Sequence, residues 1–479
     1  LRSWRSFSRA EKALLLLFFL TLPFVHPKVR SDGTGYYAYA RSLVIDHNLS
    51  FNGDWKDPAN APFIVTGYQD GRPILDYTTQ TGHIANHFSI GPAIMWAPFL
   101  AATHYMVLVF NRFGADIPAD GHSRPYLIAM ALSTALYGFL GLWLAFQLAR
   151  EYFGQRWAFL ATVGIWFASS LPVYMYEDPS WSHAQSAFAV ALFLWYWHRT
   201  RENRTAMQWI TLGLIAALMC EVYFANGVFL LVLFLESLSS FHAAWRSSNR
   251  DAMLRPLRPH LLFAASAAIA FAPQLIVRKI IFGSPFALGL YGSRPWNWLS
   301  PHLSDVLFSS NRGALLWTPV LIPSVIGLFF LWRRVPRVGA KIFAATAAFY
   351  LLIAVNPWWD GVESFGIRFF VSLTPIFVLG LAASCAEFAH SWGNVQAATR
   401  RVAVVFALLI TWNLGLVFQL SSNMLPVFGR VIWRDVVFNQ FRVVPGEFLH
   451  SLYSRSERQP GISTQGPESD DAGSLPSAR

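Results

Sequence analysis

Apolar stretches long enough to cross a bilayer as helices, roughly twenty residues each, recur along most of this chain and are separated by short polar turns. They fall at residues 13–27, 126–149, 157–176, 183–198, 207–220, 225–238, 261–282, 314–332, 341–355, 367–386 and 402–420, and a further apolar stretch covers 88–110. This pattern predicts an all-α polytopic membrane protein. Residues 207–238 form one apolar stretch interrupted by CEVYFANG. It is too long for one span and each half is short, which predicts two half-length helices meeting at Glu221 and Gly227 and lining a cavity. Beyond Tyr453 the chain turns to Ser, Gly, Pro, Gln, Glu and Asp. Such a segment cannot bury enough surface to fold, so a disordered tail is expected over 454–479.

Charge converts the pattern into a topology. Basic residues cluster at Arg150/Arg156, Arg199/Arg201/Arg204, Arg246/Arg250/Arg255/Arg258, Arg333/Arg334/Arg337/Lys341 and Arg400/Arg401. If 88–110 does not cross, every cluster and the N-terminus fall on one side, as the positive-inside rule requires; if it crosses, the later clusters face the wrong way. The consistent solution has about eleven spans, N-terminus cytoplasmic and C-terminus outside. The 88–110 stretch is then a surface or re-entrant helix, broken by Gly91-Pro92 and Pro98. The first run follows Arg2, Arg5, Arg9 and Lys12, as in a signal peptide, but HPKVRSDG comes next in place of small residues, so an uncleaved anchor is expected. The domains expected are a transmembrane unit over 1–420 with a long outer loop at 28–125, a short outer segment at 421–453, and the tail.

Composition agrees. Hydrophobic residues make up 54% of the chain and charged ones 13%, against about 25% charged in soluble domains. A net charge of +11 first suggests nucleic acid, but basic residues in short loops between apolar runs carry orientation instead. Cys220 and Cys385 lie inside apolar runs and form neither a disulfide framework nor a metal spacing. There is no P-loop, HExxH, CxxC or dinucleotide-binding glycine motif.

The outward polar residues concentrate in the loop after residue 28, in EDPSWSH, in the segment 282–313 and in NPWWDGVESFGIR. Asp32, in SDGTGYYAYARSL directly after the first run, is a candidate general base, or a helix N-cap, or both. Glu177 and Asp178 supply a second acidic site, or cap the following helix, and His183 stands about one turn beyond Asp178. Arg368, Arg312 and Arg294 lie at outer boundaries and suit a lipid-linked phosphate, or interfacial anchoring. Arg368 is favoured for function because Gly366 before it permits close backbone approach. His83 and His87 precede the surface helix and could bind phosphate or a metal. Tyr36, four residues after Asp32, is placed with the substrate-binding residues.

In that order the features resemble the GT-C superfamily of membrane glycosyltransferases, and are similar to bacterial lipid A aminoarabinose transferases and protein O-mannosyltransferases. The acid after the first span is Asp32. HFSIGPAIMWAPF resembles the juxtamembrane helix, QLAREYFGQR the next cytoplasmic turn, and YEDP the outer turn that places Asp178 on the second acid. LFSSNRGALLWTP and WWDGVESFGIRFFVSLTP resemble later segments of bacterial members. The chain departs from the family in three places: Gly33 stands where the family has Glu, Glu221 where many members have a basic residue, and His87 nearest the place of a phosphate-binding Lys.

The resemblance implies transfer of a sugar, with inversion, from a polyprenyl-phosphate carrier to a lipid, glycan or protein acceptor at the outer face. Asp32 would be the base, Asp178 the second acid, and Arg368 and Arg312 the phosphate partners. The cell inner membrane of a bacterium is the expected place. No cofactor is identified and a divalent cation is left open; nucleic acid is not expected as a partner. Two other readings fit the sequence less well: a transporter or flippase, supported by the interrupted 207–238 stretch, and an inactive relative serving in assembly, supported by Gly33.

Overall fold

The computed structural model of the chain describes residues 7–51, 54, 67–69, 72–74, 77–246, 257–292, 294–362, 364–426 and 430–457. Its main helices are α1 (Arg9–Thr21), α2 (Asp32–Arg41), α3 (Gly91–Arg112), α4 (Arg124–Ala168), α5 (His183–Thr200), α6 (Ala206–Val222), α7 (Leu230–Arg246), α8 (Leu257–Phe282), α9 (Leu321–Arg334), α10 (Pro336–Ala354), α11 (Thr374–Ser391), α12 (Val395–Ser421) and α13 (Val444–Glu457). Among the described residues the expected all-helical architecture holds apart from one short antiparallel hairpin, β1 (Gly67–Gln69) with β2 (Arg72–Ile74), between α2 and α3.

Among the described residues, seven helices are long and apolar enough to cross a membrane. The pattern of about eleven crossings maps onto these unevenly. Residues 126–149 and most of 157–176 lie in α4, two helices that meet at Gly154, whose φ of 76° and ψ of 165° break the helical path; the chain folds back there, so that the Phe139 and Trp166 rings lie 5.8 Å apart. The 314–332 run is split by a non-helical Thr318 into a short helix, Ala314–Trp317, and α9. The two half-helices expected over 207–238 are instead a 17-residue α6 and a stretch from Phe224 to His242 that is by itself long enough to cross. They part at Tyr223, which is extended.

The stretch at 88–110 needs correction too. It is the unbroken 22-residue helix α3, with Pro92 in its first turn and Pro98 inside. Pro92 costs nothing there because first-turn N–H groups lack helical partners anyway. Although α3 is long enough to cross, it packs antiparallel on the Arg124 end of α4. Tyr137 Oη donates to the Met95 carbonyl (3.1 Å), Trp96 Nε1 donates to Thr134 (2.8 Å), and His104 meets Tyr126 (2.7 Å). That end of α4 is the one nearest Asp32. The opposite end of this first arm of α4 is marked by Arg150, just before Gly154, which pairs with Glu11 at the start of α1 (2.9 Å).

The core is built on α11, whose residues Thr374 to Ala383 are all buried, against α4, α5 and α9. Small residues set the spacing. A Cβ on Gly327 of α9 would lie 1.7 Å from the carbonyl oxygen of Gly380 on α11, so the two backbones touch directly, as small residues allow in membrane bundles. α13 extends into the expected tail as far as Glu457; residues 458–479 lie outside the described residues.

Candidate active site

The end of α1 is fastened before the site begins. The His26 amide donates to the Tyr176 carbonyl (2.7 Å), and Thr21 and Tyr176 share a hydroxyl contact (2.9 Å). The chain then turns sharply at Ser31, which is buried and has φ 51° and ψ −135°, a left-handed region that costs a non-glycine residue energy. Asp32 follows as the first residue of α2. It is not the N-cap; that position belongs to Ser31, which makes no side-chain cap. Its charge nevertheless sits at the positive end of the helix dipole.

α2 is held on every side. Asn86 Nδ2 donates to the Gly35 carbonyl (2.8 Å), Tyr39 Oη to the Asn86 carbonyl (2.8 Å) and Tyr37 Oη to the Gly121 carbonyl (2.6 Å). At its far end Arg41 grips Asp54 through two bonds of 2.7 Å and Asp46 through one of 2.6 Å. The glycines at its start permit contact that no side chain would. A Cβ on Gly33 would fall 2.0 Å from Ser180 Oγ, and one on Gly35 would fall 2.0 Å from the Phe88 ring. Gly33 therefore has no room for a second acid: the position is filled by the turn that carries Asp178.

The Asp32 carboxylate meets the Arg368 guanidinium, Nη1 to Oδ2 at 2.7 Å. The Asp32 side chain is 29% exposed and that of Arg368 only 12%. The contact has the distance of an ion pair without the angle of a hydrogen bond, and Arg368 Nε is buried with no acceptor among the described residues. The guanidinium lies over the Trp181 ring (4.5 Å to its centroid) and beside Phe369 (5.3 Å). Arg368 thus presents an unused donor next to an acid in a site walled by aromatic rings. Gly366 before it has φ 56°, and its Cα packs toward Ser170 Oγ and Trp317.

Asp178 lies beside this pair but is fully engaged. Arg30 clasps it with two bonds of 2.6 and 2.8 Å, and Lys28 stands 3.7 Å away. Trp181 ties the two pairs together, since its Nε1 donates to the Arg30 carbonyl (3.2 Å) while its ring carries Arg368. Glu177 turns aside to His26 (2.8 Å) and Lys28 (3.8 Å). Neither acid caps α5, whose N-cap is Ser182, and Pro179 lies outside the helix. His183 does not bond to Asp178. Its ring is enclosed by Tyr174, Trp181, Tyr223 and Phe369 (centroids 4.8, 6.0, 6.0 and 6.4 Å), and its Nδ1 has no partner among the described residues.

The remaining candidates sit further out. Arg312 is buried with φ 75° and donates to the Ser364 carbonyl (2.7 Å) and to Asn311 (3.0 Å). It shares with Arg30, Ser31 and Trp181 a cavity of about 70 Å³ next to the Asp32–Arg368 pair. Arg294 is exposed and stacks on Trp358 (5.4 Å). The His83 ring meets Thr81 (3.2 Å), and its carbonyl accepts from Thr79. His87 is buried, with its ring against Phe88 (4.1 Å) and its carbonyl accepting from Arg278 (3.1 Å). Burial pushes its imidazole down to about 4, partly offset by the nearby Asp32 charge. Tyr36 lies one turn beyond Asp32 with its ring against Phe88 (4.8 Å).

Three neighbours of the acids were not singled out from the sequence: Lys28, Arg30 and Trp181. Lys28 and Arg30 did carry a signal, being basic residues in a loop expected on the side that the positive-inside rule keeps poor in them. Among the described residues no group of three or more His, Cys, Asp and Glu side chains gathers to hold a metal. Asp32 and Asp178 each face a guanidinium, so this donor set does not fit a divalent ion.

No family model and no curated protein matches the chain; solved structures do. The oligosaccharyltransferase of Archaeoglobus fulgidus, solved with zinc and sulfate, aligns with a TM-score of 0.51 at 12% identity, covering 83% of this chain and 52% of that one. ArnT from Cupriavidus metallidurans aligns at 0.47 with 14% identity (91% of this chain, 74% of that one). The archaeal oligosaccharyltransferase AglB in complex with an inhibitory peptide and a dolichol-phosphate aligns at 0.45 with 12% identity (97% and 57%). The chain is a multi-pass membrane protein with the GT-C type of fold. It spans about half the length of the first of these transferases.

Proposed function

We propose that the chain is a glycosyltransferase that takes a sugar from a polyprenyl-phosphate carrier and passes it to a hydroxyl of a lipid, glycan or protein acceptor at the outer face of a bacterial inner membrane. The observation that carries this reading is the pairing of Asp32 with Arg368 at 2.7 Å, which puts a base and a phosphate-binding cation side by side. Asp32 accepts the proton of the acceptor hydroxyl as its oxygen attacks the anomeric carbon from the face opposite the phosphate. The bond from that carbon to the carrier oxygen breaks, and the electron pair leaves with the polyprenyl phosphate. Arg368, through its unused Nε donor, stabilises the charge that builds on the leaving phosphate. One displacement inverts the anomeric centre.

Asp178 then acts through Arg30, fixing the strained turn at Ser31 from which Asp32 projects. The outer location rests on the charge pattern and on α3, which stays at the Arg124 end of α4. This topology puts the N-terminus in the cytoplasm and the C-terminus outside. Asp32→Asn should abolish sugar transfer in membranes supplied with polyprenyl-linked donors while protein levels stay normal. Full transfer by that variant would remove Asp32 as the base. A reporter fused after Leu420 should read periplasmic, and a cytoplasmic signal would put the site on the wrong face.

A further inference from the structure

At the end of the bundle away from Asp32 lies an open cavity of about 660 Å³. Arg333 and Arg334, at the end of α9, form one wall. Glu387 and His390, at the end of α11, form another, and Phe153 and Trp157 of α4 form the floor, on either side of the Gly154 break. Arg334 lies over the Phe153 ring (5.6 Å) and Arg333 over Phe329 (5.7 Å). Among the described residues neither guanidinium has an acidic partner, and Glu387 in the same cavity pairs with neither.

Two cations at the last turn of a helix would ordinarily be accounted for by the helix dipole. The dipole does not require the aromatic-floored space beside them. Two arginines without an acidic partner among the described residues, Arg334 above the buried Phe153 ring, at the end of the bundle where the basic loops gather, match an amphiphile with an anionic phosphate and an apolar body. We infer that this cavity is a docking site for the headgroup of an anionic phospholipid, separate from the donor carrier at Asp32. The phosphate sits between Arg333 and Arg334, and the acyl-glycerol part lies along Phe153, Trp157 and Phe330.

The test compares lipid retained by the full chain purified from nanodiscs of mixed phosphatidylglycerol and phosphatidylcholine, read by native mass spectrometry. The native chain should retain phosphatidylglycerol selectively. Arg333→Gln with Arg334→Gln should lower that selectivity by roughly ten- to thirty-fold. A control, Arg9→Gln with Arg337→Gln, removes two charges from the same end outside the cavity and should leave it unchanged. Ala386→Trp fills the cavity with both arginines in place and should also release the lipid. Equal retention by the cavity variant and the control, or retention undisturbed by Ala386→Trp, would overturn the site and leave the arginines as orientation signals alone.

Discussion

Replacing Gly33 by alanine tests the packing that fixes Asp32. The new methyl would lie 2.0 Å from Ser180 Oγ, 2.6 Å from its Cβ and 3.1 Å from its carbonyl carbon. An ordinary van der Waals contact needs more than a further ångström, so α2 and the Asp178 turn must separate. Two effects oppose each other. Alanine in place of glycine favours a helix by up to about 1 kcal/mol, and less in a first turn. Overpacking a tight contact costs about 1–3 kcal/mol, and here it also pulls against the Arg30–Asp178 clasp. Overpacking should win, with a net loss of about 1–2 kcal/mol and a lower melting temperature of the detergent-solubilised protein.

Ser180→Gly removes the two nearest atoms and should suppress most of that loss in the double variant, giving a coupling of about 1 kcal/mol or more. Gly33→Glu restores the acid that the GT-C resemblance leads one to expect there. It should be worse than alanine, with or without Ser180→Gly, because the remaining backbone still blocks its path. If Gly33→Ala were as stable as the native chain and the two substitutions were additive, the close approach of α2 to Ser180 would be wrong.

Arg368→Gln should lower the rate of sugar transfer by roughly 10² or more, the cost of removing a preorganised donor to a developing anion. Arg368→Lys should fall between Gln and native, since it keeps the charge but not the planar fork, and equal rates for all three would separate Arg368 from the leaving group. His87, outside the spans, should make stability depend on pH. Burial holds its imidazole at about 4 when folded, against an ordinary value of 6.5, so above pH 6.5 it contributes nothing. As pH falls the unfolded chain takes the proton first, and the native state loses up to about 3 kcal/mol by pH 4 and no more below. Melting temperatures of native and His87→Asn protein over that window should differ in slope, and parallel curves would refute the shift. Gly327→Ala brings a methyl to 1.7 Å from the Gly380 carbonyl oxygen and should cost about 3 kcal/mol, read as a lower melting temperature or as failure to accumulate.

The membrane class, most of the apolar helices and three residues that the structure brings together, Asp32, Asp178 and Arg368, were legible because each depends on local sequence: apolar length, and charged residues at the ends of apolar runs. What was hidden depends on long-range geometry. The expected breaks at Gly91-Pro92 and Pro98 did not form because a proline in the first turn, or inside a well-packed apolar helix, need not end it. The loop expected between two spans at Arg150 and Arg156 is reduced to one non-helical residue, Gly154, at which the chain folds back. The acids at Glu177 and Asp178 read locally as a helix cap, but their partners, His26 and Arg30, come from 151 and 148 residues away.

Gly33 shows how such a reading can invert. Beside the acid, and judged by family pattern alone, it looked like the loss of a catalytic neighbour. In three dimensions the glycine lets α2 close onto the Asp178 turn, so that Arg30 reaches Asp178 and Asp32 reaches Arg368 within the same few residues. A glutamate there would remove the contact that aims Asp32. Two acids do belong to this site: Asp178, from the far turn, is 7% exposed and held by two hydrogen bonds from Arg30, whereas Asp32, facing Arg368, is 29% exposed and is the acid within reach of an incoming hydroxyl.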